Sequence, residues 1–433
     1  MAPTKLPTSP MRRVRRAGAS VAAVASLALV AACGSSGSAS DSGGSGESVA
    51  AGADKADYIA ALESMDPVEL KVQVITPKGT PYAKVWESYG KLLDEWSGGK
   101  ITTKMYYSGS ITTAGISQAM SDGLIDMGPV QPATEPDDFP YFAYLGGYSF
   151  LNHNDPVAGT VQGFGSMLEN GYSDEMFAEY DKAGLVPLMP VAGPGAPGIL
   201  CGDGSVTSLA DAQGKSIMAN TPSAKREVEA IGGTPVSLPF TEIVEGLQRG
   251  TIDCTLSTLG AAGPWSLHDV TSDWTLPSGR GFASAREASA ISKKVWDDLP
   301  LAGRQLIWDT LPQLIDYYMQ YQVLETQQGA LIDADKAGVK IHDLDSDASE
   351  ALDKVHATMT KEAAKSAPKG VDADATLAEL EKVNQRWADL VAETDYPTDL
   401  TWDKYIAWTK DHEVDTQPVL DGLAETLESR RPE

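Results

Sequence analysis

The residue types that could support catalysis or hold a metal are few in this 433-residue chain, and they lie far apart. There is no Gly-x-Ser-x-Gly elbow, no His-Glu-x-x-His helix and no Cys-x-x-Cys pair. None of the five histidines stands at a spacing typical of metal ligands: His153, His268, His342, His356 and His412. We therefore predict that the protein is not an enzyme and that it uses neither a metal ion nor a cofactor.

The amino terminus has the pattern of an export signal. Four arginines between residues 12 and 16 precede an apolar run, residues 17–30, that is too short to span a bilayer permanently. The run leads into VAACG (residues 30–34), which resembles the lipobox of bacterial lipoproteins. We predict a signal peptide over residues 1–32, a lipid on Cys33 and a Gly/Ser-rich tether over residues 33–66. The alternative is an ordinary secretory peptide with a chance cysteine.

Two further cysteines, Cys201 and Cys254, belong to the exported part of the chain. An oxidising compartment permits a disulfide between them. Neither has a nearby histidine to activate it as a nucleophile. Two interpretations stay open, a disulfide or two small buried side chains.

The charge is strongly acidic. Removal of the signal takes away five basic residues and no acidic ones, so the formal net charge changes from -26 to about -31. We therefore predict that the chain does not bind nucleic acid, since phosphate contacts require clustered basic residues. We interpret the acidity as a solvated surface outside the cell, in preference to an anion-repelling binding site.

The elements that would position a site alternate between strands and helices. Leu70, Val72 and Val74 alternate as in a strand, a helical spacing follows over residues 82–96, and a second alternation covers residues 101–107. A short helix stopped at Gly123 and a third strand complete the unit. The β-α-β-α-β order predicts a mostly parallel sheet with helices on its faces.

The same order of elements returns about 127 residues later, and two segments at corresponding positions have similar sequences. MSDGLID (residues 120–126) and LQRGTID (residues 247–253) both place a helix-ending glycine three residues before an aspartate. Glycine fits the left-handed cap that ends such a helix. We predict two α/β lobes with a ligand cleft at the carboxyl ends of their strands.

Several segments carry a family resemblance. In the second half they are SLADAQGKSI (208–217), GGTPVSLPFTEI (232–243) and LQRGTID (247–253). Further segments are TPKGTPYA (76–83), GGKI (98–101), GLIDMG (123–128), ISK (291–293) and VWDDLP (295–300). Together they resemble the DctP family of TRAP (tripartite ATP-independent) solute receptors over about residues 70–342.

The resemblance implies a two-lobed, periplasmic-binding-protein-like α/β fold that closes over one small organic solute, usually a carboxylate, and is braced by a long helix. Here residues 312–335 have helical spacing and would form that helix. We expect lobe I over residues 67–191 with a return segment at about 259–305, and lobe II over 192–258 with about 306–347. Residues 348–433 form a helical extension, which either packs on the body or binds a partner.

The departures from the family pattern concern the solute. An arginine that clamps the carboxylate in these receptors would align with Met218, a second one with Gly198, and a frequent asparagine with Ser257. A thioether offers no charge and no donor. The aligned ligand-binding candidates are Thr76, Gln131, Gly198, Met218, Asn220, Phe240, Ser257 and Trp265, with Ile75 beside them.

We therefore predict a solute that is neutral or weakly polar at the Met218 end, or an acid held by Arg226, Arg280 or Arg286. A shift in alignment that lets a nearby arginine do the usual work is the alternative. As the resemblance implies, the receptor would serve a small and a large TRAP membrane subunit from the outer face of the cytoplasmic membrane. An orphan or sensory solute-binding lipoprotein is the rival function, and an extracytoplasmic enzyme is a weaker one.

Overall fold

The computed structural model describes residues 48–433 with the exception of residues 194 and 285. The predicted signal peptide, the lipid on Cys33 and most of the tether lie outside these residues. Within the described part the chain forms eleven strands: β1 (Val68–Gln73), β2 (Ile101–Tyr106), β3 (Met127–Val130), β4 (Leu185–Ala192), β5 (Pro197–Cys201), β6 (Ser216–Met218), β7 (Thr234–Val236), β8 (Cys254–Thr258), β9 (Asp273–Thr275), β10 (Glu287–Ser292) and β11 (Lys340–His342).

The α-helices of the described part cover the faces of these strands. They are α1 (Lys55–Ala61), α2 (Pro81–Trp96), α3 (Ile116–Ser121), α4 (Pro140–Gly146), α5 (Ala158–Gly171), α6 (Asp174–Lys182), α7 (Leu209–Ala212), α8 (Pro222–Ala230), α9 (Ile243–Arg249), α10 (Leu259–Ala262), α11 (Lys293–Asp298), α12 (Leu301–Asp309), α13 (Leu311–Tyr317), α14 (Thr326–Ala337), α15 (Ser346–Ala363), α16 (Ala373–Ala392), α17 (Trp402–Trp408) and α18 (Gln417–Ser429). None of them is long and apolar enough to cross a membrane.

The predicted helix stops are present in the backbone. Gly123 after α3 has φ 77°, and Gly250 after α9 has φ 66°. Both values lie in the left-handed region, where a side chain would be strained. The sequence pattern shared by residues 120–126 and 247–253 therefore reflects a shared local structure.

The strands form two sheets, which confirms the two-lobed α/β fold. The first has the order β2-β1-β3-β10-β4, and the second has the order β11-β9-β5-β8-β6-β7. The predicted units pair in parallel, β1 with β2 and β3, and β6 with β7 and β8. Each sheet also receives a strand in the opposite direction, since β10 is antiparallel to β3 and β4, and β5 is antiparallel to β8 and β9. The chain reaches β5 and β10 from the other lobe, at the edge where the parallel strands end. Each of the two therefore runs in the opposite direction to the parallel strands beside it.

In the described part of the chain, the backbone passes between the two sheets at three places. The first lies between β4 and β5, and the second lies between β9 and β10. Since β9 belongs to the second sheet, the return to the first sheet begins after Thr275, later than the expected residue 259.

The long helix is the third connection. It begins with α13, continues through a π-helical segment (Tyr318–Glu325) and ends with α14. Leu314 and Val323 are buried in the core of the first lobe, whereas Leu331 is buried in that of the second. The helix therefore spans both cores, and its first half does not belong to the second lobe as expected.

The carboxyl-terminal extension packs on the body. Trp387 of α16 is fully buried in the core of the first lobe, against α5. Trp402 of α17 is 1% exposed in the core of the second lobe, and its Nε1 donates a hydrogen bond to the carbonyl oxygen of Asn154 (2.9 Å). The extension thus contacts the cores of both lobes.

Candidate functional site

In the first lobe, the predicted site residues lie on loops at the carboxyl edge of the sheet. Thr76 follows β1, and its Oγ1 lies 2.8 Å from Oγ1 of Thr80, the residue that caps α2. Gln131 follows β3 and begins a short turn, in which its carbonyl oxygen accepts a hydrogen bond from the Thr134 hydroxyl (2.8 Å). The side-chain amide of Gln131 makes no hydrogen bond with another described residue. Both loops are ordered by local hydrogen bonds and keep polar atoms at the sheet edge.

Three predicted residues of the second lobe lie on one face of its sheet. Gly198 of β5 pairs with Ser257 of β8, while Met218 of β6 pairs with Thr255. Met218 is 1% exposed, and its Sδ accepts a hydrogen bond from the Thr255 hydroxyl (3.2 Å). The Ser257 hydroxyl is buried without a partner among the described residues. The structure therefore brings this trio together, but in a packed setting.

Gly198 has no room for a side chain. A Cβ added there would lie 2.6 Å from the carbonyl oxygen of Thr275 and would collide with the side chain of Leu276. An arginine at position 198 therefore requires a rearrangement of β9 and the residues after it. The missing second arginine is consistent with the packing around this position.

Asn220 follows β6, and its side chain holds the loop after β7 in place. Its Nδ2 donates to the carbonyl oxygen of Leu238 (2.9 Å), and its Oδ1 accepts from the Leu238 amide (3.2 Å). Because both halves of the side-chain amide are engaged, Asn220 orders the loop that carries Phe240.

Three of the candidate residues are large apolar side chains that are exposed on loops. Ile75 after β1 is 41% exposed, Phe240 after β7 is 48% exposed and Trp265 after α10 is 40% exposed. Exposed apolar groups near a sheet edge are typical of surfaces that contact a ligand or another part of the protein. Phe240 and Trp265 offer flat rings that could stack on a planar solute.

A partly buried carboxylate, that of Glu287, lies at the same edge of the first sheet, and sequence reasoning missed it. Glu287 pairs with Ala192, the last residue of β4, and accepts hydrogen bonds from the hydroxyls of Tyr82 (3.0 Å) and Tyr318. Burial raises the pKa of Glu287, and the two hydroxyl donors oppose that rise. The one local signal is an acidic residue at the start of a strand of small residues.

The three arginines considered as substitutes for the clamp differ in their partners. Arg226 forms an ion pair with Glu362 (2.6 Å), and Arg280 lies 4.0 Å from Asp353. Arg286 has no acidic partner among the described residues. Arg226 and Arg280 are therefore engaged on the surface, and Arg286 is the one of the three without a counter-charge.

The two cysteines left open by the sequence are bonded to each other. Cys201 of β5 and Cys254 of β8 are paired in register on neighbouring strands, and both are fully buried. The disulfide thus links the two central strands of the second sheet. Over the described ranges, no group of three or more His, Cys, Asp or Glu side chains could hold a metal ion.

Comparison with known proteins gives a family and a fold. The sequence model of the bacterial extracellular solute-binding proteins, family 7 (DctP), matches residues 72–366. The match includes α15, so α16, α17 and α18 lie beyond it.

Several solved structures share the fold. A marine metagenome TRAP solute-binding protein specific for aromatic acid ligands, in complex with 3-hydroxybenzoate, superposes with a TM-score of 0.63 at 20% identity. A TRAP solute-binding protein from Rhodoferax ferrireducens in complex with benzoate gives 0.63 at 16%. For both, the alignment covers 75% of this chain and 99% of the other. The sugar acid binding protein DctPAm from Advenella mimigardefordensis, in complex with galactonate, gives 0.60 at 18% identity, covering 74% of this chain and all of that one.

Proposed function

Because the chain belongs to the DctP family of bacterial extracellular solute-binding proteins, we propose that it captures a small organic solute outside the cell and delivers it to the small and large membrane subunits of a TRAP importer. The observation that carries the proposal is the family match over both lobes, combined with strand-end loops at the carboxyl edge of each sheet. A lipid on Cys33 would hold the receptor at the outer face of the cytoplasmic membrane.

The solute is proposed to be neutral or weakly polar at the end that faces the second sheet. In the alignment that the resemblance implies, Met218 and Gly198 stand where the family typically carries a carboxylate-binding arginine, and neither offers a charge. The exposed loops add Ile75, Phe240 and Trp265, which favour an apolar or planar surface on the solute. The related structures hold aromatic and sugar acids, so these compounds serve as the reference ligands for the test.

Capture would involve closure of the lobes over the solute. The backbone passes between the lobes at two crossings and in the long helix, which contains the π-helical segment. Hinges of this kind absorb a rotation in a few residues, and π-helical turns are frequent at functional positions. Closure would bring the loops of Ile75, Phe240 and Trp265 onto the solute and exclude water.

A thermal-shift screen of residues 48–433 tests the proposal. Solute that binds the folded state alone raises the melting temperature. We expect shifts with neutral or amine-bearing solutes and none with benzoate or galactonate. A shift with those acids would overturn the proposed solute class while leaving the receptor function in place.

The position of the site is tested with variants. F240A and W265A should reduce the shift, because each removes an exposed ring from the proposed solute surface. I59A is the matched control, since Ile59 is an exposed apolar residue (39%) on α1. If F240A and W265A retain the full shift, the solute does not bind at these loops.

Delivery to the importer is tested separately. Deletion of the gene should abolish uptake of the solute that the screen identifies, and unchanged uptake would contradict the proposed delivery.

A further inference from the structure

Arg286 lies beside a small cavity inside the first lobe. It precedes β10, and successive side chains of an extended chain point to opposite faces of the sheet. Glu287 reaches Tyr82 and Tyr318 on one face, whereas Arg286 borders a cavity of about 20 Å³ on the other. The polar side chains around that cavity belong to Tyr148, Asn152, Asn170 and Asn384.

The guanidinium of Arg286 lacks a counter-charge in these surroundings. No carboxylate is among the residues that line the cavity, and over the described residues Arg286 forms neither an ion pair nor a hydrogen bond. Its Nε is fully buried without a partner. Burial lowers the pKa of Arg286 to about 10, so the side chain is still a cation at neutral pH. A cation with a buried donor and no partner is an expensive arrangement unless an anion or water satisfies it.

We infer that this cavity binds a monatomic inorganic anion of the size of chloride, held by Arg286. A volume of about 20 Å³ suits a single small ion and is much smaller than a phosphate or an organic solute requires. Donors are available on the wall. The side-chain amide of Asn384 makes no hydrogen bond with a described residue, and the Tyr148 hydroxyl shares a single contact with that of Tyr144 (3.1 Å). The anion site is therefore separate from the proposed solute site.

The carboxyl-terminal extension closes this cavity. Leu380 and Asn384 belong to α16, which lies beyond the family match and packs on α5. An anion between Arg286 and Asn384 would join the sheet of the first lobe to α16. Binding of the anion should consequently stabilise the docked extension along with the lobe.

A halide titration of residues 48–433 tests the inference. The melting temperature is compared in sodium chloride, sodium bromide and sodium gluconate at equal ionic strength, because gluconate is too large for the cavity. We expect a rise of about 1–2 °C in either halide over gluconate once the halide reaches roughly ten times its Kd. R286M should lose this rise. R280M is the matched control, since Arg280 is exposed and lies near Asp353, and it should keep the rise. Equal melting temperatures of the wild type in chloride and gluconate would overturn the inference.

Crystals of the wild-type chain soaked in sodium bromide supply a test that does not depend on how R286M folds. The expected result is an anomalous scattering peak between Arg286 and Asn384. An ordered water at that position without anomalous signal, in crystals that bind bromide elsewhere, would show that the cavity holds water and would overturn the inference.

Discussion

At the level of single residues, the burial of Met218 determines whether an arginine at position 218 could reach the solute. Its side chain is 1% exposed and shares an apolar cluster with Leu200 and Trp274. A guanidinium in this position would be a buried charge without a partner, so M218R should lower the free energy of unfolding by about 3–5 kcal/mol. Urea denaturation measures this loss. I75R, on an exposed side chain, is the control and should change stability by no more than about 0.5 kcal/mol. If M218R is as stable as I75R and gains affinity for benzoate or galactonate, position 218 faces the solute.

Glu287 predicts a pH dependence of stability. Since burial raises its pKa above the ordinary 4.5, the fold favours the protonated form. The associated stability is fully present below the ordinary pKa and is lost as the pH rises through the raised value. E287Q cannot ionise, so its urea midpoint should increase relative to the wild type between pH 4.5 and pH 7.5. E69Q, on the exposed side of β1, should follow the wild type at both pH values. An E287Q curve parallel to the wild type would contradict the prediction.

At the scale of elements, a glycine lets the crossing between β4 and β5 lie close against the long helix. Gly195 has φ 114°, and a Cβ there would lie 2.6 Å from Nε2 of Gln327, a fully buried residue of α14. G195A should therefore destabilise the protein by about 1–3 kcal/mol, through backbone strain and the close contact.

Chemical denaturation of two variants checks this prediction. Gly329 lies on the same helix with open space around its Cα, so G329A should stabilise the protein by about 0.5–1 kcal/mol through higher helix propensity. Two alanine substitutions of the same sign would mean that the crossing yields to the added methyl group.

The extension connects the two lobes at the scale of the whole molecule. The ring of Trp387 occupies the space that a Cβ at Gly165 of α5 would need, while Trp402 is buried in the second core. W387A and W402A should each cost about 3–5 kcal/mol, because each leaves a large cavity in a different lobe. Urea unfolding followed by circular dichroism measures both, and W265A, at 40% exposure, is the control with little expected change. If W387A and W402A behave like W265A, the extension does not contribute to the cores.

Local patterns were sufficient for the elements of each lobe. The alternation of Leu70, Val72 and Val74 places three buried residues on or beside β1, and Gly123 and Gly250 stop their helices in the left-handed region. Such patterns depend on a few neighbouring residues, so they can be identified without knowing the partners in space. The family resemblance added the two-lobed fold and the long helix.

The contacts between residues far apart in the chain could not be predicted from the sequence. Sequence spacing does not say that β10 returns antiparallel between β3 and β4, that Glu287 meets Tyr82 and Tyr318, or that Met218 is enclosed by the second core. Each of these depends on contacts between residues that are far apart in the chain.

The sequence by itself therefore determined the α/β class, the repeat of two lobes, the family resemblance and the absence of arginine at positions 198 and 218. The tertiary structure alone decided which arginine lacks a counter-charge, which core each part of the extension covers and whether Cys201 meets Cys254. The physical reason is that backbone conformation follows from neighbours in the chain, whereas burial, charge pairing and cavities depend on which distant segments pack together.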